Sequence, residues 1–163
     1  MKLLFQVIGF CLLTVIASAA DSTKAPIFQM RLVLDEPTTG SEQFIFQRTN
    51  SSNGNAYTEK LEVDKKVLID QTALKSVTAG STNIQGYQMI DFSLTPEGRK
   101  QFAEITRQNI GKRLAIVIDG KLVSAPRINS EINSGDGEME ISGNLSEQEA
   151  KNLAAKISTA IVK

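Results

Sequence analysis

The chain has 163 residues, and its 18 lysines and arginines are balanced by 18 aspartates and glutamates. It contains no histidine, no tryptophan and a single cysteine, Cys11. This composition excludes an intrachain disulfide, a Cys/His zinc site and a Ser-His-Asp triad, and the balanced charge gives no attraction to nucleic acid.

The first twenty residues have the pattern of a secretory signal peptide. Lys2 supplies the positive start, Leu3 to Ile16 is a largely apolar run, and Ala17-Ser18-Ala19 matches an A-x-A cleavage site. A retained anchor is the alternative, but the run is short for a bilayer span. We therefore expect residues 1–20 to be removed, leaving a chain without a membrane span in the periplasm or outside the cell.

Residues 21–85 are predicted to contain two strands, a short helix and exposed loops. Ile27 to Leu34 alternates apolar and polar residues, which is typical of a strand. Phe44 and Phe46 lie on one face of a second strand, which we expect to pair with the first as a hairpin. Asp70 is predicted to cap a helix over Gln71 to Val77.

The next segment has the clearest local signals. Gly86 to Leu94 reads as a central strand because both of its faces are apolar. Thr95 is a natural N-cap for a helix that Gly111 should end. Arg113 to Ala125 is predicted to be a hairpin with a type I′ turn at Asp119-Gly120, and Pro126 is expected to end its pairing.

The last segment adds a strand and a helix. Glu138 to Ser142 alternates like a strand, and Ser146 with Glu149 forms a capping box for the final helix. The order from Gly86 is β-α-β-β-β-α. It predicts an α+β fold, a ferredoxin-like open-faced sandwich in which two main helices cover one face of a mostly antiparallel sheet. We expect residues 86–163 to be the core and to form one compact domain with residues 21–85.

Carboxylates are the available acid/base groups, and each has a structural explanation. The candidates are Asp91, Glu97, Asp119, Glu131, Asp136, Glu138 and Glu140. Glu97 suits a first helical turn and Asp119 a tight turn, while the spacing around Asp136 does not match an EF-hand calcium loop. We therefore expect no enzyme activity, no catalytic residue, no metal and no cofactor.

Binding through a surface is the remaining chemistry. Leu122, Pro126, Ile128 and Ile132 are apolar residues close together in sequence beside a predicted strand. A strand at a sheet edge can recruit an extended peptide through main-chain hydrogen bonds. We predict that these four residues contact polypeptide; the alternative is that they only cover the open end of the sheet.

Two phrases carry a family resemblance. LTPEGRKQFAEITRQNIGKRLAIVIDGKLVSAP (Leu94 to Pro126) and ISGNLSEQEAKNLA (Ile141 to Ala154) resemble the first periplasmic head subdomain of SecD and SecDF, accessory subunits of the Sec protein translocase. The resemblance implies a ferredoxin-like α+β fold and a role in meeting unfolded preprotein. Since SecD has several membrane spans, it also implies a separate exported head without the proton-driven motor.

Three functions stay open at this point. The first is a non-enzymatic exported module that contacts unfolded polypeptide or a translocase-associated partner. The second is an envelope interaction protein that uses the same fold for a folded partner, with an oligomeric state that the sequence does not fix. The third is a small carboxylate-dependent hydrolase, which would need two acids facing each other across a cleft.

Overall fold

The computed structural model describes residues 25–49, 55–82, 88–133, 135, 137–143 and 145–161. The predicted signal peptide therefore lies outside the described residues, as do Gly86 and Asp136. The elements are β1 (Phe28–Leu34), β2 (Ser41–Thr49), β3 (Ala56–Asp64), β4 (Ile69–Asp70), a 3-10 turn (Gln71–Ala73), β5 (Leu74–Thr82), β6 (Gln88–Leu94), α1 (Pro96–Gln108), β7 (Leu114–Ile118), β8 (Lys121–Ser124), β9 (Glu138–Gly143) and α2 (Glu147–Ile161).

The described strands form two antiparallel sheets, and two helices complete the predicted α+β fold. The larger sheet has the order β2-β3-β1-β7-β8, with β4 paired to β1, and the smaller sheet has the order β5-β6-β9. β6 is the central strand of the smaller sheet, as predicted, but only the face that carries Ile90, Phe92 and Leu94 is buried, so the expectation of two apolar faces was wrong. The order β-α-β-β-β-α after Gly86 is also confirmed.

The main core lies between the two sheets and the helices. Phe28 of β1 and Phe92 of β6 meet there, with ring centroids 5.1 Å apart. Ile116 of β7 and Ile157 of α2 belong to the same cluster. Residues from both halves of the chain therefore share one core, and burial of such side chains is the dominant force that holds the sheets together.

A second, smaller core lies on the opposite face of the larger sheet. Ala115 and Val117 point away from the main core because successive side chains of a strand alternate between faces. Leu61 and Val63 of β3 cover them, and Phe44 of β2 packs at the margin. The hairpin of β2 and β3 thus folds over the sheet to which it belongs, and β7 is buried on both faces.

Local sequence signals placed both helices and the tight turn correctly. Thr95 Oγ1 accepts a hydrogen bond of 3.0 Å from the Gly98 amide. The Ser146 amide donates to Glu149 Oε2 at 2.9 Å, which completes the predicted capping box. Asp119 and Gly120 have φ values of 51° and 76°, as a type I′ turn requires. None of the described helices is long and apolar enough to span a bilayer.

The predicted partner of β2 was wrong. β2 pairs with β3 in a continuous register from Ser41↔Asp64 to Thr49↔Ala56. β1 pairs with β3 only at Val33↔Val63 and Leu34↔Glu62. Both predicted segments are strands, β1 and β2, but β3 lies between them in the sheet.

The helix predicted over Gln71 to Val77 was also wrong. Asp70 Oδ1 does accept from the Thr72 amide at 2.8 Å, but it caps a single 3-10 turn. The chain then enters β5, whose β-branched Val77 and Thr78 suit a strand. Pro126 does not end the pairing, because its carbonyl oxygen accepts from the Leu114 amide at 2.9 Å and a bridge follows at Arg113↔Arg127.

Candidate functional site

A groove of about 410 Å³ runs between β2 and β8, and we call it the β2–β8 groove. Its lining residues are Phe44, Ile45, Phe46, Gln47, Gly120, Lys121, Leu122, Val123 and Leu145. Six of these nine residues are apolar; Leu122, Val123 and Leu145 are buried at its base, whereas Ile45 is 67% exposed. An exposed large apolar side chain beside a groove is a feature that interaction sites commonly have.

The groove follows strand edges more than strand faces. Residues 44–47 and residues 120–123 line it as unbroken runs. Because successive side chains point to opposite faces of a strand, a run of consecutive residues can line one groove only where the groove meets the backbone edge. β2 and β8 are the two end strands of the larger sheet, so two sheet edges border the groove.

Arg31 fixes the strand that forms one wall of the groove. Its side chain comes from β1, is buried, and donates a 2.5 Å ion-pair hydrogen bond to Glu42 Oε1 of β2. Its guanidinium also donates to the carbonyl oxygens of Val63 and Asp64 at the end of β3. The guanidinium carbon lies 5.7 Å from the ring centroid of Phe44, within the range of a cation–π contact. One buried cation thus holds both strands of the hairpin.

A second ion pair anchors the same hairpin from the far side. Arg113 Nη1 donates to Glu59 Oε1 of β3 at 2.6 Å. Both side chains are largely shielded from water, so solvent screens this pair less than an exposed one. The wall of the groove is therefore held at two places.

The four residues predicted to contact polypeptide do not form one surface. Leu122 lines the groove, although most of its side chain belongs to the second core. Ile128 is buried in the main core. Pro126 is exposed, and Ile132 is 40% exposed. Their contact with polypeptide stays a prediction, and the geometry favours Leu122 as the member that belongs to a groove.

Ile132 lies beside α1, away from the groove. Its amide donates a 3.0 Å hydrogen bond to Thr106 Oγ1, and Thr106 is fully buried. The same hydroxyl donates to the carbonyl oxygen of Phe102 at 2.9 Å. One threonine therefore connects the loop that carries Ile132 to the buried face of the helix.

The outer face of the smaller sheet forms a separate, polar depression of about 560 Å³. Asp91 and Glu140 are cross-strand neighbours there, and Ser93 faces Glu138. A Cβ on Gly80 would lie 2.7 Å from the carboxylate oxygens of Asp91, so this carboxylate packs against the neighbouring backbone. Among the described residues, no group of acidic side chains has the arrangement of a metal site.

The other candidate carboxylates are dispersed over the described part of the chain. Glu97 lies in the first turn of α1, and Asp119 forms a 2.5 Å ion pair with Lys156. Hydrogen bonds from the Ser146 backbone, from Lys121 and from the Ser146 hydroxyl lower the pKa of Glu149 to about 2. A carboxylate held ionised in this way stabilises a helix start and an ion pair.

Sequence reasoning missed the β2 side of the groove. Phe44 and Phe46 were recognised as strand residues, but Ile45 between them received no role. The signal was available, because three consecutive apolar residues in a strand put at least one large side chain on each face. Since Phe44 and Phe46 occupy the face that packs on the core, the β-branched Ile45 between them had to lie on the opposite face, and this could have identified it as an exposed apolar residue.

The sequence comparisons match one family over most of the chain. The model described as SecDF, P1 head subdomain, matches residues 44–161. Protein translocase subunit SecD of Leptotrichia buccalis is 49% identical over 88 residues, which are 54% of this chain and 21% of the relative. SecD of Rickettsia conorii is 42% identical over 105 residues, covering 64% of this chain and 19% of that protein. The chain thus spans about a fifth of the length of these curated relatives.

Solved structures agree with the sequence matches. A structure described as "Structure and function of a membrane component SecDF that enhances protein export" has a TM-score of 0.58 and 26% identity, over 82% of this chain and 62% of the other. A crystal structure of SecDF in a "Super-membrane-facing form" has a TM-score of 0.58 and 29% identity, over 82% of this chain and 19% of the other. Fold and sequence therefore point to the same subdomain.

Proposed function

The chain belongs to the SecDF P1 head subdomain family, and from this membership we propose that it is an exported, non-enzymatic module that contacts unfolded polypeptide in protein export. The observation that carries the proposal is the apolar β2–β8 groove in a member of this family. A folded protein presents few extended apolar segments at its surface, whereas an unfolded chain presents many. A groove of this kind therefore selects the unfolded form.

Membership of this family also supports a proposed place of action. Relatives are named as translocase subunits, and one solved relative is described as enhancing protein export. Together with the signal-peptide pattern of residues 1–20, this supports action in the periplasm beside the translocase. The export step is tested by sequencing the N-terminus of the protein recovered from the periplasm. Cleavage of the signal peptide predicts that the mature chain starts at Ala20 or Asp21.

The binding step is tested with one polypeptide in two states. A polypeptide kept unfolded by carboxymethylated cysteines, and the same polypeptide folded with its disulfides intact, are labelled and titrated with the protein while fluorescence anisotropy is followed. We expect saturable binding of the unfolded form alone. Equal binding of both forms would contradict the proposal and favour a folded envelope partner, and no binding of either form would also contradict it.

A matched pair of variants ties the binding to the groove. Ile45→Lys places a charge at the rim of the groove, whereas Ile110→Lys makes the same change at a site 55% exposed beyond the end of α1. Ile45→Lys should weaken binding of the unfolded polypeptide at least tenfold and Ile110→Lys should leave it unchanged. Equal affinities of the two variants would place the binding surface elsewhere.

A further inference from the structure

We propose that polypeptide binds this protein by adding a β-strand to the free edge of β2, with its side chains held in the β2–β8 groove. The inference rests on the proposed function and specifies how the same site would recognise its ligand. The ligand is an extended, charge-poor segment whose apolar residues alternate with small polar ones.

The first argument is the exposed edge itself. Among the described strands, β2 pairs only with β3, and it is an end strand of the larger sheet. Its nine residues pair without a register shift, so no bulge twists the edge away from a partner. The sequence SEQFIFQRT contains neither proline nor lysine, which commonly protect edge strands. A long and regular edge is a template for another strand.

The second argument is that other strands at the ends of the sheets have neighbours close to them. α2 lies along β5, where Ser158 Oγ donates to the carbonyl oxygen of Val77 at 3.1 Å. β9 approaches β8 so closely that a Cβ on Gly143 would lie 2.7 Å from Val123 Cγ1. Of the two end strands of the larger sheet, β2 has nine residues and β8 has four, so β2 offers the longer edge to an added strand.

The third argument is the chemistry of the groove beside this edge. Among the described residues that line it, Lys121 is the one with a charge, and Lys121 already forms a 3.0 Å ion pair with Glu149. A charged segment would lose hydration without gaining a free countercharge, and burying such a charge is costly. The apolar lining from Phe44, Leu122 and Leu145 favours a segment with an apolar residue at every second position.

Backbone methylation tests the strand geometry without altering the protein. The probe is a nine-residue, end-capped peptide of alternating leucine and serine. One derivative carries N-methyl groups on its leucines and the other carries them on its serines. Since the amides of an added strand alternate between facing the neighbour and facing away, strand addition requires only one of the two sets.

We expect one derivative to bind about tenfold or more weakly than the parent peptide, and the other to keep most of the parent's affinity. Equal loss in both derivatives, or no loss in either, would overturn strand addition. Failure of the parent peptide to bind a protein that still binds long unfolded polypeptide would also overturn it, and the proposed function would stand. If the protein dimerises as its concentration rises and the peptide does not reverse the dimerisation, the edge binds a second copy of the chain, and the inference is overturned.

Discussion

Replacing Arg31 with methionine should loosen the hairpin that forms one wall of the groove. Arg31 is 4% exposed, and its guanidinium binds Glu42, Val63 and Asp64. Methionine keeps much of the side-chain volume but donates no hydrogen bond. The change therefore isolates the polar contacts of Arg31 from its packing.

The expected loss in the free energy of unfolding depends on how exposed the Glu42 side chain is. Breaking a buried ion pair by removing one partner costs about 3 to 5 kcal/mol. The Glu42 side chain is 45% exposed, so water can solvate it again after Arg31 is removed, which places the expected loss near the lower end, at about 3 kcal/mol. For a urea dependence of about 2 kcal/mol per molar, the midpoint of unfolding should fall by about 1.5 M.

The assay is equilibrium unfolding in urea, followed by circular dichroism. Arg107→Met is the control, because Arg107 forms an exposed ion pair with Glu104 on α1 and should leave the midpoint unchanged. Binding of unfolded polypeptide should weaken in Arg31→Met under conditions where the variant is still folded. A midpoint for Arg31→Met equal to that of Arg107→Met would refute the reasoning.

Three further predictions concern stability. Thr106→Val leaves the Ile132 amide without its acceptor and should lower the free energy of unfolding in urea by about 1 to 3 kcal/mol. Thr106→Ser keeps the hydroxyl and should lower it less. Equal losses in the two variants would contradict the role of the hydroxyl. Gly98→Ala would place a Cβ against the backbone of Ala73. It should lower the free energy of unfolding by about 1 to 3 kcal/mol, although alanine has the better helix propensity. A stabilised variant would show that the backbone of Ala73 can move. Glu149→Gln should lower the unfolding midpoint at pH 7, and its difference from the parent protein should vanish as the pH falls from about 4.5 to about 2. The pKa of Glu149 is depressed in the folded state, so the stabilisation exists above the unfolded-state pKa and is lost through this window; a difference that persists below pH 2 would argue against the carboxylate.

The features that could be predicted from the sequence depend on contacts between near neighbours. Thr95 caps α1 through the amide of Gly98, and Asp119-Gly120 turns the chain between two adjacent strands. The Ser146 and Glu149 pair acts within a single turn of α2. Each of these hydrogen bonds is available to the local chain before any tertiary contact forms, so sequence spacing is sufficient to recognise it.

The features that could not be predicted depend on distant partners. β2 could have paired with either of two alternating segments, and the buried Arg31 of β1 favours the observed order because its guanidinium also binds carbonyl oxygens at the end of β3. Ala73, Leu74 and Val77 are buried, and their spacing fits a helical face as well as a turn followed by a strand. Periodicity alone does not separate those two structures.

The candidate site was predicted only in part for the same reason. Leu122 and Ile128 are close in sequence, yet they belong to cores on opposite faces of the larger sheet. The other wall of the groove comes from β2, far away along the chain, and no local pattern connects Ile45 with Leu122. The groove exists because the hairpin folds over the sheet.

The most direct test of the central claim is an NMR titration of the isotopically labelled protein with a permanently unfolded polypeptide, with the folded form of that polypeptide as control. We predict saturable changes in backbone amide shifts with the unfolded form alone, clustered at residues 44–47 and 120–123. Changes clustered on the outer face of the smaller sheet or around Ile110 and Ile132, or the absence of any change, would contradict the assignment of polypeptide binding to the β2–β8 groove.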